Sequence, residues 1–260
     1  MRNRLYRTRL ASFFSISVLA ASAFLAGCGL HGDRPEQFLA AFGASPPGRQ
    51  AFTACNGFGC ETSVTAHLDD AQWALVRDTF DPAPIDAAQE RRDIARAVGL
   101  LERLVARQAG TENDQPENER IAGTHQLDCM AETFNTTSYL LLMQGDGLLR
   151  FHAVVFPQHR GTLIFYPHNT AVIAERESGR RYAVDSWFGT NGDEPDVVDI
   201  ESWLAGFDPR DEPWRSRAPQ ATPPETGRTE SRDASQVVSG EAPQASTQDA
   251  PQTANLFGGQ

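Results

Sequence analysis

The sequence predicts an α+β domain, with helices first and an antiparallel sheet second, and three observations carry that prediction. Apolar residues recur every three or four positions in segments between 69 and 142, the spacing of helices that bury one face. From 148 to 188 the pattern changes to β-branched and aromatic runs broken by Gly and Pro, which is strand behaviour. The two ends are set apart by composition, leaving about 165 residues, 49–213, for one domain with a real core.

At the N-terminus, Arg2, Arg4, Arg7 and Arg9 precede an apolar run from Leu10 to Leu25. The run is too short and too rich in small residues for a comfortable membrane span, so 1–27 reads as a cleaved export signal. It ends Leu25-Ala26-Gly27-Cys28, which resembles the lipobox of bacterial lipoproteins. That resemblance implies a diacylated Cys28 thiol, removal of 1–27 and acylation of the new amine. Three acyl chains exceed the two signals that stable anchoring needs, so membrane lipid is the first expected partner. The simpler alternative is an ordinary secretory signal cut after Ala23 or Ala26, with Cys28 a bystander. Gly29 stands where an Asp could act as an inner-membrane retention signal, which favours the outer membrane, facing the periplasm. Losing 1–27 removes four arginines and no acids, moving the formal charge from −11 to −15. A chain that acidic, with no basic cluster, excludes nucleic acid as a partner.

Residues 28–48 hold at most a short helix before a Pro-Pro-Gly break and read as a leader. The stretch "CNGFGC" (55–60) is glycine-rich and turn-like. "DDAQWALVRDTF" (69–80) spaces Trp73, Val76 and Phe80 for a helix. A longer helix follows, with Asp86 as N-cap, Ile94, Val98, Leu101, Leu104 and Val105 on one face, and Gly110 as its stop. "TENDQPENER" (111–120) is a polar loop. In "DCMAETFNTTSYLLLM" (128–143), Met130, Phe134, Thr137, Ser138, Leu141 and Leu142 step by three and four. Asp128 can cap that helix and "GDG" (145–147) ends it. Strands are expected in "LLRFHAVVFP" (148–157), "TLIFYPHNTAVIAE" (162–175) and "RRYAVDSWF" (180–188). The acid-rich "TNGDEPDVVD" (190–199) lacks EF-hand spacing and reads as a solvated loop. The segment 214–260 is dominated by Pro, Gln, Ser, Thr, Ala, Gly and charge, with "APQ" at 218, 242 and 250. Such a composition reads as a disordered tail, either a plain spacer or a flexible reach toward the cell wall or a partner.

Four cysteines need places in an oxidising compartment. Cys28 goes to lipid. Cys55 and Cys60 flank a glycine-containing turn and are a candidate disulfide. Cys129 is left over, either a small buried hydrophobe or a reactive thiol. A helix N-terminus favours a thiolate there, while Asp128 and Glu132 oppose it by charge, so a nearby base is required. His168 is the favoured base, and the partner that would orient it is Asp185. If the hairpin loop is 175–178, residue 168 faces 185 at roughly 5 Å between Cβ atoms. If the turn is only Ser178-Gly179, Asp185 pairs with Val172 and lies about 13 Å from His168 along the strand. An inward Asp beside Val184 and Trp187 needs a partner.

In the order Asp128-Cys129, His168 in "HNTAVI" and Asp185 in "YAVD", these residues resemble the transglutaminase-like division of the papain superfamily. There a helix opening with the Cys packs on an antiparallel sheet whose next strands carry His and then Asp. The pattern is similar to that of bacterial transglutaminase-like cysteine proteinases, over about 120–190 of this chain. It departs after the Cys, where those enzymes have an acidic pair and an aromatic and this chain has Met130-Ala131-Glu132. His152 in "HAVV" also mimics the His motif. The resemblance implies a transglutaminase/papain-like core and an oxyanion hole made by the Cys129 N–H and an upstream polar side chain, for which Gln126 is the nearest. It implies that His168 takes the Cys129 proton, Asp185 orients the ring, and an acyl-enzyme forms on a peptide or carboxamide substrate. Water as acceptor makes the expected activity a peptidase or amidase; an amine would give cross-linking. No cofactor and no metal are required. Two rivals stand beside this reading. One is a catalytically inactive scaffold or binding lipoprotein on the same fold. The other is a metal site of Cys129, His125 and His168, which lacks any Cys-x-x-Cys or His-x-x-x-His spacing.

Overall fold

The computed structural model describes residues 32–117, 125–162 and 165–211. The signal 1–27, Cys28 and the tail 214–260 lie outside the described residues.

Helix α1 (Pro35–Ala41) opens on a proline, whose missing N–H would be unsatisfied at that position anyway. It buries Phe38 and Leu39, with the Phe38 ring edge-on to Phe156. The packed domain therefore begins upstream of Arg49, inside the expected leader. The region around "CNGFGC" holds more than a turn: β1 (Phe52–Asn56) pairs antiparallel with β2 (Thr62–Ala66), Phe52 opposite Ala66. Gly57 supplies the positive φ (77°) at the turn, and a Cys55–Cys60 disulfide closes it.

Helix α2 (Asp70–Asp78) is capped by Asp69, which accepts from the Gln72 N–H while the Gln72 side chain returns to the Asp69 N–H. In α3 (Ala87–Ala109) Asp86 accepts from the Gln89 N–H at 2.7 Å, and Gly110 ends the helix at φ 74°. Its Ile94, Val98, Leu101 and Val105 are fully buried. Helix α4 (Cys129–Gly145) is buried on every side from Ala131 to Met143, as befits a central helix rather than a surface one. Among the described residues no helix is long and apolar enough to cross a membrane.

The sheet is antiparallel throughout, in the order β3 (His152–Thr162), β4 (Phe165–Glu175), β5 (Arg181–Asp185) and β6 (Asp196–Asp199). The fourth strand corrects the expectation of a solvated loop at 190–199: Val197 and Val198 pair with Val184 and Ala183, and Asp196 is buried. One sheet face packs on α4 through Ala171, Ile173, Tyr182 and Val184, which join the main core. Val172 and Ala183 alternate to the other face. There α5 (Ile200–Leu204) covers them with Ile200 and Trp203. The fold is thus α+β, with the start of α4 meeting the end of the sheet where β4 and β5 bring in residues 167–169 and 185.

Candidate active site

Asp128 caps α4 by accepting from the Ala131 N–H at 2.9 Å, leaving Cys129 as the first helical residue. The residue is half-buried and its thiol is free. The sulfur lies 4.0 Å from the Pro167 carbonyl oxygen and 3.7 Å from Asn169 Nδ2, so it meets β4 at the two residues that bracket His168.

His168 Nε2 lies 2.7 Å from Asp185 Oδ2. Both side chains are buried, and Trp203 Nε1 donates to the same Asp185 oxygen at 2.7 Å. The Trp187 backbone N–H reaches Asp185 Oδ1 at 3.3 Å. The rings of Trp187, Trp203 and Phe188 surround the imidazole, with centroids 4.7, 5.4 and 5.4 Å from its own. They keep water from the His–Asp bond, which strengthens it. His168 Nδ1 is buried and has no hydrogen-bond partner among the described residues.

Burial is the largest single influence and opposes charging of the ring, but the hydrogen bonds and charges of Asp185 and Cys129 together outweigh it, and the His168 pKa is pushed up to about 9. An imidazole that holds its proton at neutral pH beside a sulfur suits a thiolate–imidazolium pair. The anticipated opposition from Glu132 is weaker than its charge suggests. Glu132 is 6% exposed, and burial, with Glu102 and Asp114 nearby, raises its pKa well above the usual value. That favours the neutral acid.

The other expected residues are placed as follows. His152 is a fully buried structural histidine: Nδ1 is 2.9 Å from Glu90 Oε1 and Nε2 is 3.3 Å from Arg91. His125 turns to Asn56, 3.2 Å from its Nδ2. Among the described residues no group of His, Cys, Asp and Glu is arranged to hold a metal ion. Gln126, the nearest oxyanion candidate, is engaged with the 113–115 loop, accepting from the Gln115 N–H at 3.0 Å and donating to the Asn113 carbonyl at 2.9 Å. Two contributors went unread in the sequence. Trp203 had a usable signal, an Asp199 cap followed by Ile200 and Trp203 three apart. Asn169 had none beyond its place next to His168.

Comparison with known proteins gives no match: no family model, no curated protein and no solved structure matches the chain.

Proposed function

We propose that this protein is an envelope lipoprotein, anchored through acylated Cys28, whose α+β domain has a transglutaminase/papain-like core and acts as a thiol hydrolase. The observation that carries the reading is the orientation of His168. Asp185 occupies Nε2, so the imidazole keeps Nδ1 for the sulfur at the mouth of α4. In the proposed reaction the Cys129 thiolate attacks a peptide or side-chain amide carbonyl. The C–N bond then breaks as His168 gives its proton to the departing amine. Water attacks the resulting thioester, returns a proton to His168 and frees the acid and Cys129. Cys129 is half-buried where His168 and Asp185 are buried, which suits a substrate arriving from the Cys129 side.

The test is iodoacetamide labelling of the folded, mature protein with mass mapping. Fast, pH-dependent alkylation at Cys129, slowed by about tenfold or more in His168→Ala, is expected of an activated thiol. An inert Cys129 in the native protein would overturn the hydrolase and leave the inactive scaffold. The anchor is tested separately, since Cys28→Ser should move the protein from the membrane to the soluble fraction.

A further inference from the structure

We propose that Asn169 is the side-chain half of an oxyanion hole, its Nδ2 acting with the backbone N–H of Cys129 on the oxygen of the carbonyl under attack. This rests on the thiol-hydrolase reading and assigns a catalytic residue to it. Three observations carry the assignment. Asn169 Nδ2 lies 3.7 Å from Cys129 Sγ, one bond short of where a carbonyl oxygen would sit once the S–C bond forms. Asn169 Oδ1 lies 3.1 Å from Nδ1 of His159, its partner in the β3–β4 register, so the far end of the amide is held. With the His159 proton on Nδ1, the ring donates to Oδ1 and the amide turns its NH2 toward the sulfur. The third is the backbone donor. Asp128 gives its side chain to the Ala131 N–H and its carbonyl to the Glu132 N–H, and the first helical N–H, that of Cys129, has no partner within the helix.

One donor belongs to the cysteine itself and the other lies 3.7 Å from its sulfur, while Nδ1 of His168 is buried without a hydrogen-bond partner among the described residues. As the S–C bond forms, the π pair of the carbonyl moves onto its oxygen and accepts from both N–H groups. When the C–N bond breaks, the pair returns to carbon and the amine leaves with the His168 proton. Gln126 has no part in this, because its amide is bound to the 113–115 loop.

The experiment compares two reactions of the same sulfur in the full-length folded protein. Acylation by p-nitrophenyl acetate, read as the nitrophenolate burst, passes through an oxyanion; alkylation by iodoacetamide at a saturated carbon does not. Asn169→Ala and the uncharged, near-isosteric Asn169→Leu should each slow acylation by about 100- to 1,000-fold and leave the alkylation rate within about threefold. His159→Leu alters an exposed residue and needs no repacking, so it serves if the Asn169 variants do not fold. It should slow acylation by roughly tenfold with alkylation unchanged. Equal losses in both reactions would reduce Asn169 to holding the sulfur and overturn the proposal, and so would acylation at the wild-type rate. A wild-type protein that is alkylated but never acylated would instead overturn the hydrolase reading itself, and the oxyanion hole with it.

Discussion

Asp185 reaches His168 along a diagonal of the sheet rather than from the position opposite it. Ala171 faces Val184 and Val172 faces Ala183, so Asp185 comes level with Thr170, two residues from His168. Neither hairpin expected from the sequence has this register. The observed loop closes with the Glu175 N–H on the Arg180 carbonyl and the Gly179 N–H on the Glu175 carbonyl, which places it between the two. The contact survives because diagonal neighbours on one face have Cβ atoms roughly 7 Å apart, within reach of an Asp and a His leaning toward each other. Trp203 helps to fix the diagonal: its indole N–H pins the same carboxylate oxygen that His168 uses.

That carboxylate makes the stability of the domain depend on pH at the alkaline side. The His168 pKa is raised to about 9 in the folded protein, against about 6.5 in an unfolded chain. The contribution is therefore fully present below about pH 6.5 and is lost as pH rises through about 9. Asp185→Asn should remove most of it, costing on the order of 2 kcal/mol at pH 7. Thermal melts from pH 6 to 10 should show a wild-type midpoint that falls across this window and a variant midpoint that starts lower and changes less.

Helix faces and caps were the most legible part of the chain, because they depend on residues three or four apart. Asp86 and Asp128 cap where the sequence places them, and Ile94, Val98, Leu101 and Val105 form the buried stripe. The order of Cys129, His168 and Asp185 was legible as well. What stayed hidden is what non-local packing decides. Two valines between Asp196 and Asp199 carry too little pattern to announce β6 until β5 lies beside them. The Phe38 ring sits among Phe42, Phe134 and Phe156, so α1 becomes core only once α4 and β3 are in place. Asn169 is the sharpest case. It follows His168 directly and lies against the sulfur, and only the docking of α4 on β4 shows it.

Behind the start of α4 lies a group of buried acids whose protonation also bears on stability. Asp114 is buried and accepts from the Leu127 N–H at 2.6 Å, holding the approach to Cys129. Asp114 and Glu102 lie close enough to Glu132 to raise its pKa, and Glu102 accepts from the Gly192 N–H at 2.8 Å. Burial raises the Glu102 pKa to about 7 and lifts Glu132 well above its usual value. Each binds a proton more tightly folded than unfolded, so each lowers stability as pH climbs from about 4.5 through its folded value. Glu132→Gln keeps the shape of the side chain and removes the titration. Its urea midpoint at pH 8 should equal or exceed that of the wild type, by about 1 kcal/mol at most, and should change less between pH 5 and 8. A loss of several kcal/mol at pH 8 would show instead that the ionised carboxylate is needed.

Glu90 sits in the opposite situation and should govern the acid side. It is fully buried at the start of α3 and accepts from the backbone N–H groups of Arg150 at 2.7 Å and His152 at 2.9 Å, and from the His152 ring at 2.9 Å. Burial alone would raise its pKa, but the bond to His152 and those to the Phe151, Arg150 and His152 N–H groups together outweigh it, and the net shift is downward. A lowered folded pKa gives stability that is present above about 4.5 and lost as pH falls through the folded value. Glu90→Gln replaces one acceptor oxygen by an NH2 facing donors, so it should cost about 3 kcal/mol at pH 7, read from urea denaturation, and should flatten the decline between pH 5 and 3. The same variant separates the two histidines. Below its melting temperature it should leave the alkylation rate of Cys129 unchanged, since of the two histidines Glu90 touches only His152. A Glu90→Gln protein that stays folded yet loses alkylation would move the base from His168 to His152.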